Sequence, residues 1–237
     1  MTVVLLDALG TLVELERPWP HLLRELGRRG THITEERARE AMRAEMAFYR
    51  SEHHRGDSPA ALAALRRACA EVVRAHLGAP GAAARIEDVE AALLAAVRFR
   101  AYPDAAPALV ALRADGARLV VASNWDVSLH QVLERTGLAG LLDGAISSAE
   151  AGAAKPAPAI FTRALALVDG SAADACMVGD SVETDVAGAR AAGVAPVLVV
   201  RGAGDGLGSL GAAPEALGGV TTIASLAELP GVVRYLR

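Results

Sequence analysis

The chain has 237 residues, of which 52% are hydrophobic and only 3% aromatic, so Ala, Leu and Val must fill its core. That length suits one large domain or two modest ones. A net charge of −4 argues against a nucleic-acid footprint built on global charge, and no apolar stretch approaches a membrane span.

The first apolar run, 2–6, reads as a buried strand. Asp7 ends it, and no basic segment precedes it, so it is not a signal peptide. No strand signal follows for about ninety residues. Helices are expected near 18–29, 34–53, 58–77 and 86–99. Thr34 is a good N-cap with Glu35 and Glu36 in the first turn, and Ser58-Pro59 sets a cap before a first-turn proline. Pro103-Asp104 marks a return to alternation. Helical patterns at 105–115, 127–136, 158–168 and 184–192 separate short, often Val-rich runs at 118–123, 144–147, 176–179 and 196–200. A last strand at 220–223 and a helix at 225–229 close the series. Alternation of this kind predicts a doubly wound, Rossmann-like parallel α/β sheet. The body would comprise 1–13 and 104–237, and an all-helical insert 14–103.

Charge divides along the same line. Residues 14–103 carry 15 Arg against 13 acidic side chains, and the remainder 9 basic against 15 acidic. Such a contrast suits an anionic ligand, although ordinary solvated helix faces account for it as well. Cys69 and Cys176 lie in apolar runs without metal or redox spacing. They read as buried free thiols, Cys176 as a core residue and not a nucleophile, in a reducing, cytoplasmic setting.

In open parallel sheets the ligand sits beyond the carboxyl ends of the strands. Asp7 through Leu12 follow the first strand, Ser123-Asn124 the second, and Gly179-Asp180-Ser181 with Asp185 the fourth; Lys155-Pro156 precedes the helix at 158. These residues should converge on one site. A carboxylate can attack phosphorus, and a hard Mg²⁺ on oxygen ligands would allow two anions to approach. Asp7 and Asp180 can each supply an oxygen. Gly10 permits a tight turn whose N–H groups could face phosphoryl oxygens, and Ser123 can donate to one of them. Lys155 is the only lysine among 24 basic residues, which suggests a place that needs a compact charge and not a planar guanidinium.

These segments resemble the four motifs of the haloacid dehalogenase-like hydrolases: Asp7 with Gly10-Thr11-Leu12, the run 119–124 with Ser123-Asn124, Lys155-Pro156, and 178–181 with Asp185. The resemblance covers nearly the whole chain, because the helical insert sits where that family carries its cap domain. It implies Asp7 as nucleophile, with Ser123 and Lys155 binding the phosphoryl group or orienting Asp7. It also implies Mg²⁺ on Asp7, Asp180 and the carbonyl of residue 9, with Asp185 orienting Lys155 or the metal's waters. Gly10, Thr11 and Asn124 would line the substrate, a small phosphorylated metabolite.

Phosphatases of that family carry a second Asp two residues after the nucleophile, and this chain has Leu9 there. The carbonyl remains, but a general acid/base worth about 10²–10⁴-fold is gone. Three readings follow: a slow or selective phosphatase that recruits another acid; a dehalogenase-like hydrolase, whose halide leaves unprotonated; or a non-catalytic relative binding a phospho-ligand or a protein. Phosphonatases of that family also lack the second Asp but use a cap lysine as a Schiff base, and the insert has no lysine, which argues against that chemistry.

Gly206 to Gly211 fits a dinucleotide string but does not join a strand directly to a helix, so it reads as a surface loop. His53-His54 ends the long insert helix and is a candidate substrate contact, set against a solvated helix end. Trp125 is expected to pack where body and insert meet, and Trp19 to anchor the start of the insert.

Overall fold

The computed structural model describes residues 2–202 and 218–235. The chain divides into two compact units, Met1–Glu14 with Phe99–Arg237, and Leu15–Arg98.

The first unit is built on strands β1 (Val3–Leu6), β4 (Arg118–Ser123), β5 (Gly144–Ser147), β6 (Ala175–Gly179), β7 (Ala195–Val199) and β8 (Thr221–Ile223), ordered β5-β4-β1-β6-β7-β8. Every pairing is parallel. Connections run outward from β1 in both directions, so the sheet's order reverses beside β1. Leu6 stands level with Val121 of β4 and Val178 of β6. Asp7, Ser123 and Asp180 therefore emerge together at the carboxyl edge.

Side chains alternate between the two faces with the strand period. Val4, Leu6, Leu119, Val121, Cys176 and Val178 enter one core, and Val3, Leu5, Val120, Ala122, Ala175 and Met177 the other. Burial on both faces is why these strands read as continuous apolar runs. Helices α6 (Ala105–Ala114), α7 (Leu129–Arg135), α8 (Ser148–Ala151), α9 (Pro158–Ala166), α10 (Ala187–Ala191) and α11 (Leu229–Tyr235) belong to this unit. A π-helical turn, Val182–Val186, precedes α10. The helix expected at 184–192 is thus two pieces.

The second unit holds α1 (Pro18–Arg28), α2 (Glu35–Glu52), α3 (Pro59–His76), α4 (Ala79–Ala83) and α5 (Ile86–Ala96). Thr34 caps α2 by accepting from Arg37 N at 3.3 Å, and Ser58 caps α3 by accepting from Ala61 N at 3.3 Å, as the sequence predicts. Leu22, Leu26, Met42, Leu65, Val73 and Leu93 form its own core. Trp19 packs against that core with the Arg39 guanidinium 5.0 Å above its ring.

Two short strands, β2 (Val13–Leu15) and β3 (Phe99–Ala101), pair with each other. The sequence reading has no strand here. Three residues show too little periodicity, and each strand finds its partner only across the whole helical insert. Trp125 lies 4.9 Å from the Phe99 ring and is buried in the core of the first unit.

Candidate active site

Asp7 is the first residue past β1 and is buried. Its Oδ1 accepts from Ser123 Oγ at 2.8 Å and from Lys155 Nζ at 2.5 Å. Lys155 Nζ also donates to Asp185 Oδ1 at 2.6 Å, and Asp185 Oδ2 accepts from Ser181 N at 3.0 Å. The lone lysine thus stands between two carboxylates, with its side chain 1% exposed. Asp7, Asp180 and Asp185 offer oxygens within 4.8 Å of one another.

Three devices hold this cluster. The Asn124 side chain brackets the Lys155 backbone, donating to its carbonyl at 3.0 Å and accepting from its N–H at 2.7 Å. Gly10, at φ +84, lies against the Asp180 carboxylate, where any Cβ would collide. Gly179 leaves the same room for Asp185. Only glycine meets the first requirement, because positive φ and absent Cβ are both needed.

Two expectations change in detail. The N–H groups of Gly10 and Thr11 do not face outward: they donate inside the loop, to Val13 O at 2.8 Å and Ala8 O at 3.4 Å. Thr11 is fully buried, and its Oγ1 has no partner among the described residues. Gly10 serves close approach and not anion cradling. The N–H groups of Ala8 and Leu9 are the ones that meet no acceptor among the described residues. Asn124, expected on substrate, spends its amide on Lys155. The expected dinucleotide-like string at 206–211 lies outside the described residues.

Electrostatics follow from three acids around one ammonium. Burial alone would lower the Lys155 pKa, but Asp185 and Asp7 together hold it above the ordinary value. Burial raises Asp185, against the pull of Lys155. Asp180 is pushed up to about 8 by burial and then by the charges of Asp7 and Asp185. The donors are all hard oxygens and their negative charge is under-compensated. Those are the terms on which a site takes a cation such as Mg²⁺. Cys176, buried on β6, is pushed up to about 12 by burial, so it is an inert core thiol.

In the helical unit, His53 is buried in the turn after α2 with its ring 6.0 Å from Tyr49, and His54 is exposed. The sequence reading missed Glu45, a buried acid of that unit. Burial pushes it up to about 7, opposed by a hydrogen bond from the Cys69 thiol. It also missed Arg201 and Asp104. Arg201 follows the end of β7, so the strand-end rule that found Asp7 would have found it.

Fold and site together describe an α/β enzyme of the hydrolase class. The chain belongs to the haloacid dehalogenase-like hydrolases, whose family model matches residues 1–193. It is 40% identical over 97 residues to a ribulose-1,5-bisphosphate 5-phosphatase of Halopiger xanaduensis, covering 40% of this chain and 41% of that one. It is 36% identical over 137 residues to a plasmid phosphoglycolate phosphatase of Cupriavidus necator, covering 57% of each. These matches span only about half the length of the relatives. The crystal structure of a phosphatase of the family from Thermococcus onnurineus aligns over 98% of both chains with a TM-score of 0.62 and 25% identity.

Proposed function

We propose that this protein is a Mg²⁺-dependent phosphatase that acts on a small phosphorylated metabolite through an aspartyl-phosphate on Asp7. The observation that carries the reading is the shared hold of Ser123 and Lys155 on one oxygen of Asp7, beside two further acids. Among the described residues Oδ2 of Asp7 has no partner, so it is the oxygen free to attack phosphorus in line with the leaving group. Ser123 and Lys155 fix the carboxylate's rotamer, which reduces the entropy lost on reaching the reactive geometry. The N–H groups of Ala8 and Leu9, which meet no acceptor among the described residues, would donate to phosphoryl oxygens.

Asp7, Asp180 and the carbonyl of Leu9 would hold Mg²⁺, with Asp185 retaining Lys155 and Ser181. The ion would neutralise charge on the transferring group. With Leu at position 9, no side chain there protonates the leaving oxygen, so that proton comes from water or from another acid. Leaving groups of low basicity are therefore favoured. Substrate selection is assigned to the helical insert in the role of cap, with His53 and His54 as candidates.

The test is release of para-nitrophenol from its phosphate ester, with and without Mg²⁺. Turnover that needs the metal and disappears in Asp7→Asn supports the reading. Halide release from a 2-haloacid without metal would replace it with a dehalogenase, the second reading that Leu9 favours. Neither activity, with no phosphate adduct by intact mass, would leave a binding protein.

A further inference from the structure

Beyond the strand-end acids, the body carries a second polar cluster that none of this chemistry uses. Arg201 Nε donates to Gly10 O at 3.3 Å and its Nη2 to Thr11 O at 2.7 Å. The same guanidinium meets both oxygens of Asp104, at 3.0 and 3.1 Å, and lies 3.7 Å from the Tyr102 ring centroid. Asp104 also accepts from Ser225 Oγ at 2.7 Å and Leu226 N at 2.9 Å. With these partners the guanidinium is committed to protein groups and is not a ligand site.

What it grips decides its role. Gly10 is the residue against which the Asp180 carboxylate rests without clearance. Asp7 begins the same loop. From inside, Ala8 O gathers the loop by accepting from Thr11, Leu12 and Val13. From outside, the two carbonyls at the turn are held only by Arg201 among the described residues. A shift of the Gly10 peptide would change the room left for the Asp180 carboxylate, and with it the spacing between Asp180 and Asp7. Lysine could keep the charge opposite Asp104, but one ammonium does not reproduce a planar fork aimed at two carbonyls and a carboxylate.

We propose that Arg201, oriented by Asp104, is a positioning residue: through the carbonyls of Gly10 and Thr11 it sets the Asp7–Asp180 spacing on which divalent-ion binding depends. The inference rests on the metal-dependent reading above. Neighbours that orient ligands in this way typically govern about 10–100-fold in metal affinity or activity.

Arg201→Lys and Arg201→Ala, made in the full chain, test it by Mn²⁺ binding followed by electron paramagnetic resonance without substrate. Turnover of para-nitrophenyl phosphate and urea denaturation complete the comparison. Both variants should bind Mn²⁺ about tenfold or more weakly, and kcat should fall more than KM rises. Millimolar guanidinium should restore part of both losses in Arg201→Ala, which a purely structural defect would not allow. The Lys variant keeps its ion pair, so its urea midpoint should change least while its Mn²⁺ affinity still drops. Mn²⁺ affinity within about twofold of wild type in a folded Lys variant overturns the proposal, whatever the stability of the Ala variant. Wild-type protein that binds no Mn²⁺ removes the metal reading and this inference together. Wild-type binding with an unaffected variant removes this inference alone.

Discussion

Replacing Lys155 with Met removes the ammonium while keeping a side chain of similar length, and the consequence can be worked from its two partners. Its Nζ lies 2.5 Å from Asp7 and 2.6 Å from Asp185, and all three side chains are at least nine-tenths buried. At an effective dielectric of about 20, each contact supplies about 6 kcal/mol of attraction. Burial of the ammonium offsets several kcal/mol of that sum. Removing one member strands the others, and such truncations cost about 3–5 kcal/mol. The deficit must depend on pH. Without the lysine, the folded-state pKa values of Asp180 and Asp185, already raised by burial, rise further above their unfolded values. An acid raised in the folded state destabilises once the unfolded chain ionises and the folded one resists, so the penalty grows as pH rises and fades towards about pH 4. Urea denaturation of the metal-free protein near pH 5 and pH 8 measures this. The expected result is a loss of about 3–5 kcal/mol at the higher pH and clearly less at the lower. A loss below about 1 kcal/mol at pH 8, or one independent of pH, would refute the ion-pair account of the site.

Leu9→Asp should raise phosphate-ester turnover at least tenfold, because the remaining groups are in place and a general acid/base contributes about 10²–10⁴-fold; unchanged turnover would show that protonation is supplied elsewhere. In the helical unit, Glu45→Gln removes an acid that burial pushes up to about 7 while retaining an acceptor for Cys69. Glu45 is raised above its unfolded value near 4.5, so its cost is absent below that pH and complete above about 7. The Gln variant should gain about 3 kcal/mol near pH 8 and under about 1 kcal/mol near pH 5. Denaturation midpoints at the two pH values check the sign.

The strands were legible because burial on both faces writes itself as short apolar runs, and the site because the chain places chemical groups at strand ends. Arg118–Ser123 and Gly144–Ser147 coincide with their apolar runs residue for residue. The caps at Thr34 and Ser58 were equally local. What escaped was short or distant. β2 and β3 are three residues each and recognise each other only across the insert. Glu45 looked like any helix-face acid until folding buried it.

Sequence alone determined which residues arrive at the carboxyl edge, since a strand's end and the residue that follows it are properties of adjacent positions. It also determined the lack of an acid at Leu9. Tertiary structure decided how those residues are used: which oxygen of Asp7 is held, that Asn124 holds Lys155, that Gly10 makes room for Asp180, and that Arg201 reaches back to the first loop. The reason is physical. Hydrogen-bond partners and local dielectric depend on distances between segments remote in the chain, and no periodicity along one segment carries that information.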